Sequence, residues 1–379
     1  MLVAENEIGG KIDLTKLSRL EIENQRKISW YCPGCGSEVI IKNGLVMRPH
    51  FSHKQCESCD SFSENESEEH LLGKEILAKN CDKFGLTYEL EAYLPSIQQR
   101  PDILVEGNIA VEFQCSTLSI KRLKERTSSY LQNGYQVIWL LGNNLSFSGS
   151  LSELQKQFIS FSPEIGFYLW GLSGKNECIE LTYFLSKTPL KWQFKRESFS
   201  LNKHSIVDIL SCPKTMKKKE MIETDTQANY DKQQEKWNQQ LVKKQPGVMR
   251  LQSFFYSQGE NLGQLNQLYF YPSFLSPLMM EEEYLFRFLV YQYFLLFKAG
   301  TLEEILSYVK KEYDFESFTL VERETLLRYC LSIYLCFLKG EHIIEVENEC
   351  YSYKEKLNNS LKNKKEFLWL PLKYVMISK

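Results

Sequence analysis

The apolar positions along the chain fall into three rhythms. Residues 1 to 65 carry short β-type runs broken by Gly9, Gly10, Gly34, Gly36 and Gly44. Residues 67 to 141 read as helix, three strands, helix and strand. The first helix is expected from about Ser67 to Asp82, with Ser67 as N-cap and acidic residues in its first turn. Strands are expected near Leu86 to Tyr93, Asp102 to Val105 and Ile109 to Cys115. A second helix, about Ile120 to Asn133, has Ser119 before it and Gly134 after it, and the apolar run Tyr135 to Leu141 closes the unit as a strand. From Pro277 onward, stretches such as EEEYLFRFLVYQYFLLFK and ERETLLRYCLSIYLCFLK repeat their apolar residues at helical spacing.

These rhythms predict an α+β multidomain protein: a metal-stapled β module over 1–65, a compact αβββαβ core over 66–145 and a mostly α-helical C-terminal region over 249–379. Between them lie an aromatic-rich extension over 146–212, with strand-like patches at Gly166 to Leu172 and Ile179 to Phe184, and a polar linker or exposed helix over 213–248. A chain of 379 residues exceeds what a single core organises. Tyr284 to Phe297 is apolar but holds Arg287 and Gln292 and is shorter than the roughly 20 residues of a membrane span, so a buried helix is expected. The N-terminus lacks the pattern of a secretory signal, which predicts a cytoplasmic protein.

The hairpin around Glu106-Gly107-Asn108 carries the most chemistry. A two-residue loop would set Glu112 opposite Ile103 and mix acidic with apolar side chains on one face. A three-residue loop pairs 105 with 109, 103 with 111 and 102 with 112. It gathers Ile103, Val105, Ile109, Val111 and Phe113 on one face and Asp102, Glu112 and Gln114 on the other. Cross-strand neighbours lie about 4.5 to 5.5 Å apart at Cβ, close enough for two carboxylates to share a cation. A Mg2+ or Mn2+ ion would relieve their repulsion and act as a Lewis acid on a phosphodiester. In the first helix Glu69, Leu72 and Ile76 share the face that packs on the sheet, so Glu69 is a third candidate ligand. His70 and Lys74 form a neighbouring i, i+4 pair.

The net charge of −2 gives no overall basic field, so contacts with nucleic acid would come from local clusters such as Lys121, Arg122, Lys124 and Arg126. Eleven cysteines, an odd number without an export signal, point to reduced thiols and metal ligands. Cys32-Pro-Gly-Cys35, His50-Phe-Ser-His53 and Cys56-Glu-Ser-Cys59 are three pairs with a two-residue spacer, which suits a structural, ribbon-like zinc site. Spacing alone leaves open Cys32, Cys35, His50 and His53 or the all-cysteine set Cys32, Cys35, Cys56 and Cys59.

Taken together, Cys32-Pro-Gly-Cys35, His50-Phe-Ser-His53, Ser67-Glu-Glu-His70 with Lys74, Arg100-Pro-Asp102, Glu112-Phe-Gln114-Cys-Ser, and Arg126 with Tyr130 before Gln136-Val-Ile-Trp139 resemble the competence protein CoiA family. The resemblance covers roughly the first 145 residues. It implies a PD-(D/E)xK nuclease-like core behind a zinc module, with Asp102 and Glu112 as metal ligands, Gln114 in the third motif place, and Cys32, Cys35, His50 and His53 as the zinc set. It further implies processing of incoming single-stranded DNA during natural transformation, beside a RecA-type recombinase or other competence proteins. One departure bears on chemistry: Gln114 stands where the motif's lysine is usual, and it can orient a water but carries no charge. Lys74 or Lys121 would then have to supply the cation. Two functions follow, a divalent-metal deoxyribonuclease using Asp102, Glu112, Gln114, Glu69 and Lys74, or a catalytically weak DNA-binding adaptor that recruits the recombinase. A purely structural zinc protein leaves the facing carboxylates unexplained.

Overall fold

A computed structural model describes residues 1–54, 66–215, 221–354 and 365–369. The protein is α+β, with an N-terminal antiparallel sheet, a central mixed sheet with helices, and a helical C-terminal region. Its contacts divide it into two compact units. The first comprises Met1–Phe158, Leu169–Thr182 and Arg196–Cys212, and the second Ile159–Tyr168, Tyr183–Lys195 and Pro213–Lys379.

In the first unit, β1 (Val3–Glu5), β2 (Lys11–Asp13), β3 (Trp30–Tyr31), β4 (Glu38–Lys42) and β5 (His50–His53) form a five-stranded antiparallel sheet with α1 (Arg19–Gln25). Trp30, Val39, Ile41 and Phe51 pack with Leu14 and Ile22 into a small core. On β5, His53 pairs with Val39 and Phe51 with Ile41, so strand alternation turns His53 toward the buried side and His50 away from it.

α2 (Glu68–Phe84) is N-capped by Ser67, whose hydroxyl accepts from His70 N–H, and ends at Phe84, two residues beyond the expected stop, with Gly85 in the left-handed region as its C-cap. β6 (Tyr88–Leu90), β7 (Ile103–Val105) and β8 (Ile109–Gln114) form an antiparallel meander. Ile103 pairs with Val111 and Val105 with Ile109, the register that the three-residue loop predicts. The strand expected from Leu86 to Tyr93 is shorter, because Glu91 adopts a positive φ of 50° and turns the chain out of the ladder.

α3 (Ile120–Gln132), N-capped by Ser119, crosses over to β9 (Gln136–Leu141), which pairs parallel with β8 throughout its length. The chain continues through α4 (Glu153–Lys156), β10 (Ser160–Ser162), β11 (Gly166–Ser173), β12 (Cys178–Lys187), β13 (Trp192–Ser200) and α5 (Ile206–Thr215), and the sheet runs in the order β13-β12-β11-β9-β8-β7-β6.

The second unit contains β14 (Met221–Asp225), α6 (Thr226–Val242), α7 (Pro246–Ser257), α8 (Glu282–Phe297), α9 (Leu302–Glu312) and α10 (Arg323–Gly340). Of the polar stretch expected as a linker or exposed helix, Thr226–Val242 is the helix α6, and it is not wholly exposed: Asn229, Gln233 and Trp237 form a buried stripe at i, i+4 and i+8. Polar residues on that stripe hid it from a hydrophobicity pattern. In α8, Arg287 is fully buried and bonds to the carbonyls of Pro272 (2.6 Å) and Phe274 (2.8 Å) and to Glu283 (2.5 Å). The other Glu283 oxygen accepts from Ser276 N–H at 2.6 Å. Among the described residues no helix is long and apolar enough to cross a membrane, and the cysteines are unbridged.

Candidate active site

The hairpin and α2 face each other across a cleft with about 60 Å³ of internal space, room for a few waters or one partly hydrated ion. Asp102, Glu112 and Gln114 line it from the hairpin, Glu66, His70 and Lys74 from the start of α2, Arg122 and Arg126 from α3, and Glu91 and Arg100 from the loop between β6 and β7. These side chains answer one another's charge. Lys74, 1% exposed, places Nζ 2.7 Å from Glu66, 2.6 Å from Glu91 and 3.8 Å from Asp102. His70 Nε2 lies 2.9 Å from Asp102, and Asp102 Oδ2 accepts from Phe113 N–H at 2.7 Å. Glu112 is ion-paired to Arg126 and accepts from Tyr130 Oη at 2.7 Å. Arg100 pairs with Glu91, whose carboxylate also takes the backbone N–H groups of Leu2 and Val3.

The environment drives the two hairpin carboxyls apart. Burial raises both, but at Asp102 the cations His70 and Lys74 and the Phe113 N–H outweigh it and hold the group well below the usual carboxylate range. At Glu112 burial prevails over Arg126 and Tyr130 and pushes the carboxyl up to about 7. Burial also opposes the charge on Lys74, yet Glu66, Glu91 and Asp102 raise its pKa above the ordinary value, so it stays an ammonium. One carboxylate is thus permanently charged, its neighbour titrates near neutrality, and a fixed cation stands beside the first.

Not every residue expected here arrives. Glu69 points elsewhere, accepting from Asn143 N–H at 2.8 Å, while Glu66 and Glu91 take the acidic places on that side. Gln114 donates from Nε2 to Ser116 O at 3.0 Å. Of the basic cluster, Arg126 is committed to Glu112, Arg122 lines the cleft, and Lys121 lies on the surface 3.8 Å from Glu125. Glu66, Glu91 and Arg100 were missed as site residues. The one local hint was at Arg100, adjacent to Pro101-Asp102, and nothing local marks Glu91, whose partners Leu2 and Val3 are far away in sequence.

A separate cluster lies in the N-terminal module. The Cys32 and Cys35 sulfurs and a His53 ring nitrogen lie within 4.8 Å of one another, with Cys35 Sγ 3.4 Å from His53 Nε2. Gly36, at φ 70°, closes the Cys-Pro-Gly-Cys turn by donating to Cys32 O at 2.8 Å. Two thiols and an imidazole converging from a tight turn and a strand make a candidate metal site. His50 is outside this group, and its Nδ1 lies 2.8 Å from Arg48 O. Cys56 and Cys59, the alternative ligands, lie outside the described residues. Among the described residues no other three potential ligand atoms come this close, the acidic cleft included.

Comparison with known proteins places the chain in a family. The model of the competence protein CoiA nuclease-like domain matches residues 66–214, and that of the competence protein CoiA N-terminal domain matches residues 14–62. "Competence protein CoiA" of Bacillus subtilis (strain 168) is 38% identical over 142 residues, which cover 35% of this chain and 38% of that protein. No solved structure matches. The N-terminal match holds the cysteine and histidine cluster and the nuclease-like match the charged cleft, and the chain belongs to the competence protein CoiA family, with its N-terminal domain and its nuclease-like domain.

Proposed function

We propose that the cleft is the active site of a divalent-metal-dependent deoxyribonuclease of the PD-(D/E)xK type, which processes incoming DNA in the cytoplasm during natural transformation. The supporting observation is the position of Lys74: a buried ammonium 3.8 Å from Asp102, across the cleft from Glu112, supplies the cation that Gln114 cannot. Asp102 and Glu112 are oxygen donors of the kind Mg2+ or Mn2+ prefers, and the cleft has room for such an ion. The ion would supply Lewis acidity toward a phosphate oxygen and lower the pKa of a water. The chain's own residues do the rest: Lys74 offsets charge on the phosphoryl oxygens, His70 orients the Asp102 carboxylate, and Gln114, buried in the lining of the same cleft, orients water. Arg122, Lys121 and Lys124 lie on the helix that borders the cleft, where a DNA backbone would run. Zn2+ at Cys32, Cys35 and His53 is the structural ion of this reading.

The direct test incubates single- and double-stranded DNA with the protein and Mg2+, Mn2+ or chelator, beside a folded Asp102→Ala/Glu112→Ala variant. Metal-dependent cleavage is expected in the first and at least about a hundredfold less in the second. Equal cleavage by both proteins would sink the enzyme reading.

One observation favours a second reading. Both hairpin carboxylates are already occupied by protein partners, Glu112 by Arg126 and Tyr130 and Asp102 by His70 and Phe113 N–H, so an ion enters only if Arg126 lets go. A cleft locked in this way is an adaptor that binds DNA and recruits a RecA-type recombinase. DNA binding without cleavage under every metal condition, unchanged in the double variant, would select it.

A further inference from the structure

We propose that Arg100 couples the Cys32/Cys35/His53 cluster to the charged cleft, so that an ion held by the thiolates keeps the cleft in its working geometry. This rests on the metal reading of that cluster and is independent of whether the cleft cuts DNA.

A continuous buried path joins the two places. Arg100 donates one guanidinium nitrogen to Cys32 Sγ at 3.8 Å and the other to Glu91. Glu91 accepts from Lys74 Nζ at 2.6 Å, and Lys74 stands 3.8 Å from Asp102. Cys32, Arg100, Glu91 and Lys74 are exposed by only 1%, 7%, 3% and 1%, so water cannot replace a lost partner anywhere along the path. The N-terminal module reaches the same carboxylate a second time through the backbone N–H groups of Leu2 and Val3.

The chemistry of Cys32 makes the path responsive. A neutral thiol is a weak acceptor, whereas a metal-bound thiolate carries charge and accepts strongly from a guanidinium. With an ion at the cluster, Arg100 is anchored at both ends. Without one, the bond from Arg100 to Cys32 weakens while its bond to Glu91 stays, and the loop from β6 to β7 that carries both residues loses one of its ties to the module, the Leu2 and Val3 N–H groups still holding Glu91. Arg100 is therefore a positioning residue, acting on the cleft through Glu91 and Lys74. Coupling of this kind is reciprocal, so a change at the cleft end must alter affinity at the thiolate end.

The test uses the full chain and two readouts besides activity. The first is Zn2+ affinity, measured by competition with a chromophoric chelator, in the wild type, Arg100→Lys and Glu91→Gln. Arg100→Lys keeps the charge but loses the fork, and a drop of about tenfold to a hundredfold is expected, as for other residues that support metal ligands. Glu91→Gln, which touches no cluster residue, is expected to weaken Zn2+ several-fold. The second readout is amide hydrogen exchange over residues 88–102, in zinc-loaded and chelator-stripped protein. Stripping is expected to speed exchange there, and less so in Arg100→Lys, where the connection is already cut. If either variant fails to fold, the loaded and stripped wild type decides alone.

Three results would overturn the proposal. Zinc affinity unchanged in both variants, with no difference in exchange at 88–102, removes the coupling while leaving the zinc site standing. No zinc bound by the wild type removes the cluster reading and the proposal with it. Faster exchange everywhere on stripping, α10 included, makes the ion a global staple with no particular link to the cleft.

Discussion

Two regions of this protein bury charge, and they do so to opposite ends. In the second unit, Arg287 spends its donors on the carbonyls of Pro272 and Phe274 and on Glu283, and Glu283 in turn holds Ser276 N–H. The bonds to Pro272, Phe274 and Ser276 fix one segment against α8, the Arg287–Glu283 pair joins them within the helix, and the group is buried. In the nuclease-like cleft, Lys74, Arg100, Arg126 and His70 face Glu66, Glu91, Asp102 and Glu112 around about 60 Å³ of internal space. There the charges are balanced mainly by other side chains, which can exchange partners. A buried ion pair tied to backbone carbonyls has one arrangement, and a buried array of mutually neutralising side chains has several. The second kind is the one that can bind and release a ligand.

The comparison can be broken most directly in the sealed region. Arg287→Leu leaves Glu283 buried without its cation and should destabilise the protein by about 3–5 kcal/mol in chemical denaturation, with no specific effect on divalent-ion binding at the cleft. A loss below about 1 kcal/mol would mean the pair is not structural. Lys74→Met should cost somewhat less, roughly 2–4 kcal/mol, because His70 and Arg100 remain to face the orphaned carboxylates. It should also abolish metal-dependent cleavage if Lys74 supplies the missing cation. Retained cleavage would assign that role elsewhere.

The pH dependence sharpens the contrast. Glu112 is raised from 4.5 to about 7, so the folded protein keeps this proton between those values while the unfolded chain has already lost it. The stabilisation from the protonated form is therefore present below pH 4.5 and lost as pH rises toward 7. Mn2+ binding, which needs the carboxylate, should strengthen over the same window by up to about tenfold per pH unit and level off above it. Calorimetry in buffers of different ionisation enthalpy would register the released proton, and a pH-independent affinity would remove Glu112 from the ligand set. The smallest effect is expected at the rim: Lys121→Ala breaks an exposed pair and should change stability by less than about 0.5 kcal/mol, with a modest loss of DNA affinity that fades as salt rises.

How much of this was readable in the sequence depended on the range of the interactions. The hairpin register was legible because Ile103, Val105, Ile109 and Val111 alternate and Glu106-Gly107 accepts the positive φ of the turn. The caps at Ser67 and Ser119 were legible because capping is decided within three residues. Glu91 was not, since its role needs a left-handed turn and donors from the N-terminal module. His50 and His53 share a spacing that a turn would converge but a strand sends to opposite faces, and their ladder with β4 decides between the two. Glu69 and Glu66 differ by less than a helical turn, and only the packing of α2 determines which one looks into the cleft.

That packing has a mechanical origin in Gly73. A methyl group at this position would overlap the Phe113 ring and press on Leu172, so the bare backbone of α2 rests directly against β8. Glycine within a helix costs about 1 kcal/mol relative to alanine, and here that cost sets a clearance. His70 and Lys74 lie on the adjoining turns of the same rigid rod, so the thickness of one absent methyl gauges their distance to Asp102. Gly73→Ala would act as a shim, lifting the whole charged row off the hairpin together and detuning the cleft without altering any group in it.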